Sequence, residues 1–147
     1  MRSLLAIIFM FAVSPVHAAD GGTPACRPGV SSPWLRMAPA AMPMGAAFLT
    51  IENRCGRDVV IVGVESADFG STSLHETRLE AGVSRMRALP QLPVAAGGRV
   101  EFKPGGLHIM LMNPRHNLRL GDTVVMIFRL RDGGAFTASV PLRDTAP

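Results

Sequence analysis

An all-β sandwich or barrel of about eight short strands is the fold this sequence predicts. Three observations point to it. Short alternating or β-branched runs recur along the chain, turns bearing Gly and Pro separate them at regular spacing, and no segment of convincing length carries a helical period. The 147 residues allow one domain and hardly two. Hydrophobic residues make up 48% and charged residues 18%, a balance that excludes disorder for most of the chain.

Residues 1–18, MRSLLAIIFMFAVSPVHA, read as a secretory signal. Arg2 supplies the positive end, Leu4 to Val13 the apolar run, Ser14-Pro15 the break and Val16-His17-Ala18 the cleavage site. The run is shorter than the roughly 20 residues that a membrane-spanning helix needs, and no later segment is better. A lipoprotein signal places Cys directly after the cleavage point, and Ala19 stands there. The expectation is an exported, soluble, periplasmic chain without a transmembrane segment. Residues 19–33 are expected to be an extended segment, and 34–147 the β domain.

Within that domain, the first strand is expected over Ala46–Asn53 and the second over Asp58–Glu65. Thr72–Thr77 and Ser84–Leu89 follow, joined through the turn Glu80-Ala81-Gly82. Arg99–Lys103 comes after Ala96-Gly97-Gly98, and His108–Asn113 after Pro104-Gly105-Gly106. Thr123–Leu130 and Ala135–Leu142 flank Arg131-Asp132-Gly133-Gly134 and read as a hairpin.

Two cysteines in an exported chain pair as a rule. A Cys26–Cys55 disulfide closes a loop of about 29 residues and contributes about 3 kcal/mol on the chain-entropy model. It would staple the N-terminal segment to the sheet. A redox pair or thiolate metal site is the alternative, and no CxxC spacing supports it.

The net charge is +4, and 14 of the 15 basic residues are Arg, with Lys103 the exception. They are spread along the chain with no interleaved aromatics, which argues against a nucleic-acid partner. A solvated basic surface is the plain reading, with attraction to an acidic partner or an anionic membrane surface as the alternative.

The chemistry-bearing feature is His108-Ile109-Met110-Leu111-Met112. In a strand, alternate side chains share a face, so His108, Met110 and Met112 point one way while Ile109 and Leu111 face a core. His75 and Met86 sit on two runs joined by a short turn, which brings them near each other. Taken alone, Met86 reads as strand core and His75 as a surface histidine. Two imidazoles with two thioethers suit Cu(I), a soft ion that prefers sulfur with imidazole support. Thioether is the durable sulfur donor outside the cytoplasm, where thiolate is oxidised. Zn²⁺ prefers Cys, His and carboxylate, and Ca²⁺ and Mg²⁺ need oxygen cages. A blue-copper site needs a Cys beside two His, and neither Cys has that setting.

The spacing His75-x10-Met86-x21-His108-x-Met110 resembles the ligand pattern of the PCuAC family of periplasmic copper chaperones. The similarity extends to Leu74-His75-Glu76, Arg85-Met86-Arg87, Pro104-Gly105-Gly106-Leu107-His108-Ile109-Met110-Leu111-Met112 and Gly121-Asp122-Thr123-Val124, within roughly 34–142. The resemblance implies a cupredoxin-like Greek-key β-barrel and one Cu(I) held in a shallow site by His75, Met86, His108 and Met110. It also implies delivery to a copper-accepting partner, either the binuclear centre of cytochrome c oxidase or a Sco-type protein.

Two family features are missing. Glu76 and Thr77 stand where many members have another Met, and the chain stops at Pro147 without a His/Met-rich tail, so the resemblance implies no second site. Met112, Met42 and Met44 are candidate rim residues. Met37 and Met126 read as packing, His116 as solvated loop, and Glu76 and Arg87 as groups able to tune the site. The chain is expected to be a monomer and not an enzyme, since no nucleophile triad, carboxylate pair or nucleotide loop occurs. A copper storage or resistance protein and a metal-free interaction module are the competing readings.

Overall fold

The computed structural model describes residues 26–39 and 42–146. The expected signal at 1–18 and the first part of the 19–33 segment lie outside them. Among the described residues the chain is all-β, with ten strands in two antiparallel sheets. They are β1 (Gly29–Met37), β2 (Met44–Glu52), β3 (Val59–Glu65), β4 (Phe69–Glu80), β5 (Val83–Ala88), β6 (Leu92–Val94), β7 (Arg99–Phe102), β8 (Leu107–Pro114), β9 (Thr123–Leu130) and β10 (Ala135–Pro141). One sheet runs β1-β2-β8-β4-β5 with β7 also on β2, and the other runs β10-β9-β3-β6.

Eight strands are expected from the sequence, and two more are present. β1 includes Gly29 to Pro33, which reads as extended coil before the domain, so the sheet begins at Gly29, ahead of the Ala46–Asn53 run expected as its first strand. Pro33 and Ser32 interrupt its pairing with β2, and Ser32 takes a left-handed φ of 49° there. An edge strand tolerates such a bulge and a Pro that cannot donate to the ladder. β6, with Pro93 at its centre, is the edge strand of the other sheet for the same reason.

Period-2 patterning builds the core. Ala47, Leu49, Ile51, Ile109 and Leu111 point inward from one sheet, and Val124, Met126, Phe128, Phe136 and Val140 from the other. Burying one such large side chain contributes about 1.5–3 kcal/mol. The Phe128 and Phe136 rings stack at 4.8 Å. Along one side, Leu35 bridges Leu142 and the Arg143 amide donates to the Leu35 carbonyl at 2.9 Å, which ties the two sheets together.

Cys26 and Cys55 are joined as a disulfide with their Cα atoms 5.6 Å apart. Beside it lies Asn53, only 1% exposed. Its amide donates to the carbonyls of Arg57, Val94 and Ala95, and its carbonyl accepts from the Cys55 amide. This one side chain holds the end of β2, the disulfide loop and β6 together.

Candidate metal centre

β7 and β8 follow one another along β2, and both run antiparallel to it. Leu49 pairs with Phe102 and Ala47 with Ile109, so residues 103–108 bulge out opposite Phe48 alone. The bulge is the Pro104-Gly105-Gly106 turn. Gly105 has φ 77°, a left-handed conformation that costs a residue with Cβ about 1–2 kcal/mol. The turn aims the Gly106 carbonyl back at the sheet. That carbonyl accepts from the Thr77 amide on β4 at 3.0 Å and lies 3.0 Å from His108 Nδ1. With Nδ1–H as the donor, the lone pair of His108 is left on Nε2, the arrangement that orients a metal-binding imidazole.

Beyond the bulge, β8 pairs with β4, and His75 stands directly opposite His108. The two rings stack at 5.8 Å with 23° between their planes. His75 is half-buried, and its Nδ1 lies 3.4 Å from Ser73 Oγ. Burial, and then the neighbouring His108, lower its pKa, so its ring favours the neutral form that a metal requires.

Met110 lies two residues along from His108 and shares its face. On the other side, β5 pairs with β4 so that His75 faces Ala88 and Thr77 faces Met86. Met86 is therefore a diagonal neighbour of His75, somewhat under about 7–8 Å away between Cβ atoms for such pairs. The register thus brings His75, Met86, His108 and Met110 to one outward face of the six-stranded sheet. Exposure is graded across them. His108 is 6% exposed, His75 and Met110 are intermediate, and Met86 is 53% exposed.

An open, mainly apolar cavity of about 630 Å³ lies against this face. Met86, His108 and Met110 line it together with Arg36, Met37 and Met44. The wall from the end of β1 belongs to a strand that the sequence does not predict. The short alternation Leu35-Arg36-Met37 is the signal that points to it.

The rim candidates divide. Met44 lines the cavity and pairs directly with Met112 across β2 and β8, whereas Met42 is a 49% exposed loop residue outside the lining. Glu76 and Arg87 do not face the donors. They alternate to the other side of the β4–β5 hairpin, where Glu76 bridges Arg78 at 2.8 Å and Arg87 at 3.4 Å. Of the two, only Glu76–Arg87 crosses from β4 to β5, where it adds modestly to the pairing of the hairpin that carries Met86. His116 lies apart in a loop, 2.9 Å from Asp68.

Neutral imidazole and thioether donors make a soft site. Among the described residues, no group of three or more His, Cys, Asp or Glu gathers to offer a hard one.

The architecture is that of PCuAC domains. A copper-bound PCuAC domain from PmoF2 superposes with a TM-score of 0.64 over 80% of this chain and 92% of that one, at 24% identity. Apo-DR1885 from Deinococcus radiodurans gives 0.63 over 99% and 97%, at 23% identity. Its Cu(I) form gives 0.64 over 79% and 77%, also at 23%. At such identities the likeness is one of fold.

The chain belongs to the LpqE-like family, described as "Putative lipoprotein LpqE-like", whose model matches residues 29–142. It is 32% identical over 131 residues to "Putative lipoprotein Lxx21020" of Leifsonia xyli subsp. xyli, covering 88% of this chain and 78% of that protein. It is 28% identical over 103 residues to an uncharacterized protein, RP573, of Rickettsia prowazekii, spanning 57% of that relative's length.

Proposed function

We propose that this chain is an exported Cu(I) carrier that binds one ion through His75, Met86, His108 and Met110 and hands it to another protein. The observation that carries the reading is the register itself: two imidazoles and two thioethers share one outward face beside an open cavity. Copper-bound relatives of the same fold support it. The disulfide agrees with an oxidising compartment, in which neutral thioethers outlast thiolates. Among the described residues no helix is long and apolar enough to cross a membrane.

Transfer is ligand exchange and makes or breaks no bond in a substrate. Met86 is the most exposed donor and sits on a hairpin, so an acceptor's thiolate or imidazole displaces it first. His108, held by the Gly106 carbonyl, is the last to let go. The acceptor is assigned as the binuclear copper centre of cytochrome c oxidase, reached directly or through a Sco-type thiol protein, in the periplasm.

Cu(I) titration against a competing chelator tests the reading. Wild type and Met126→Leu, altered in the far core, should each bind one tight equivalent, while Met86→Ala and His108→Ala should lose it. Equal binding by all four removes the ligand assignment. Normal oxidase assembly in a strain without the protein removes the proposed destination and leaves the carrier.

A further inference from the structure

We propose that Met44 and Met112 form a second soft-metal station, a thioether pair that takes Cu(I) or Ag(I) next to the four-donor site and passes it to or from Met110. The cargo rests on the carrier reading above. The station itself rests on where the methionines lie.

The seven described methionines segregate. Met126 is fully buried in the core, Met37 packs against that core, and Met42 is loop-exposed. Met44, Met86, Met110 and Met112 all share the outward face that carries the two imidazoles. Gap-filling methionine belongs where packing is dense, which is the inward face. On this face Met44 and Met112 are instead half-buried, screened from bulk water yet reachable.

They are direct cross-strand partners, so their Cβ atoms lie about 4.5–5.5 Å apart. Two flexible thioethers at that spacing can close on a single two-coordinate ion. Their backbones are held firmly. The Ala38 amide donates to the Met44 carbonyl at 2.8 Å, and the Asn113 amide to the Pro43 carbonyl at 2.8 Å, which locks the Met42–Met44 loop to the end of β8. Ala46 and Ser73 flank Met110, and Ser71 flanks Met112, so small neighbours leave the sulfurs room.

Met112 is two residues from Met110, a step of about 6.6 Å along the strand. An ion leaving the pair therefore has only a short step along one strand face to the next sulfur. No imidazole or carboxylate pairs with Met44 or Met112 across the strands, and the Arg36 side of the cavity is cationic. Both features make the station weaker than the four-donor site, as a point of entry or exit must be.

The experiment is a Cu(I) titration of the purified protein followed by carbon-13 NMR of the methionine methyl groups. A Met44→Leu/Met112→Leu variant runs alongside, in a nearly volume-conserving substitution that keeps the sheet packed. The first equivalent should shift the Met86 and Met110 methyls. Further Cu(I) should shift Met44 and Met112, and that further uptake should be lost in the variant while first-equivalent affinity is unchanged. If Met86 and Met110 respond while Met44 and Met112 stay fixed at every Cu(I) level, the second station is refuted and the carrier stands. If no methionine methyl responds, both fall together.

Discussion

Asn53 and His108 are the two buried polar side chains among the described residues, and they are satisfied very differently. Asn53 gives and receives four hydrogen bonds, from its amide to three carbonyls and at its carbonyl from one amide. His108 makes a single bond among the described residues, from Nδ1 to the Gly106 carbonyl. A group with all its capacity used inside the protein holds structure. A group held at one end, with the other nitrogen unpaired, suits the ligand role proposed for it. Burial alone does not separate the two roles; the count of unused donor and acceptor positions does.

The largest test of that contrast is Asn53→Ala. It removes the partner of the Cys55 amide and of the Arg57 and Val94 carbonyls, while the Ala95 carbonyl keeps the Gly98 amide, and urea denaturation should show a loss of about 3 kcal/mol or more, at about 1–3 kcal/mol for each group left unpaired in the interior. Cu(I) affinity of the folded protein should not change. His108→Ala should do the reverse. Affinity should fall by more than about 100-fold, beyond the range typical of outer-shell changes, while the protein remains folded by circular dichroism. Parallel effects of the two substitutions on stability and binding would break the comparison.

Gly105→Ala sharpens it. Open space surrounds a Cβ there, so only the left-handed φ of 77° opposes the change, at about 1–2 kcal/mol. Shifting the Gly106 carbonyl should also cost about tenfold in Cu(I) affinity, because that carbonyl orients His108. A stability loss with unchanged affinity would show that the turn does not position the ring.

His75 provides a pH test. Its pKa is lowered from 6.5 by burial and by His108. Protons therefore compete for its ring only at pH below the ordinary imidazole range, and NMR titration of the copper-free protein should give a midpoint under 6.5. The stability linkage has the same sign. Stability is full above the unfolded value and declines as pH falls toward the lowered folded value, because the unfolded chain takes up the proton first.

The smallest effect belongs to His116, whose pKa is raised, chiefly by its hydrogen bond to Asp68. That contribution is full below the unfolded value near 6.5 and disappears as pH rises through the folded value. Asp68→Asn should return the titration midpoint toward 6.5 with little change in melting temperature, since the pair is exposed.

Much of the fold is legible in local pattern. Alternation marks β2, β3, β9 and β10, and the Gly-bearing turns mark where they end. β1 and β6 are hidden because Pro33 and Pro93 read as breakers, yet both lie on sheet edges where a missing amide is harmless. For the candidate site, the spacing of His75, Met86, His108 and Met110 is readable, as is the shared face of His108, Met110 and Met112. The role of Glu76 and Arg87 is not. Adjacent residues in a strand point opposite ways, so nearness in sequence to His75 and Met86 sets them on the wrong face.

The amino-acid order alone, then, determines strand periodicity, the disulfide partners and which residue types stand at the donor positions. These are local quantities, written in a period of two and in fixed spacings. Lateral register belongs to the folded chain. His75 meets His108, and Met44 meets Met112, only because β8, after the Pro104-Gly105-Gly106 bulge, lies between β2 and β4 and pairs with both. Nothing in either segment specifies its partner, since that choice is made by packing two sheets around one core. The same packing leaves Met126 as filler and turns four other methionines toward the outside.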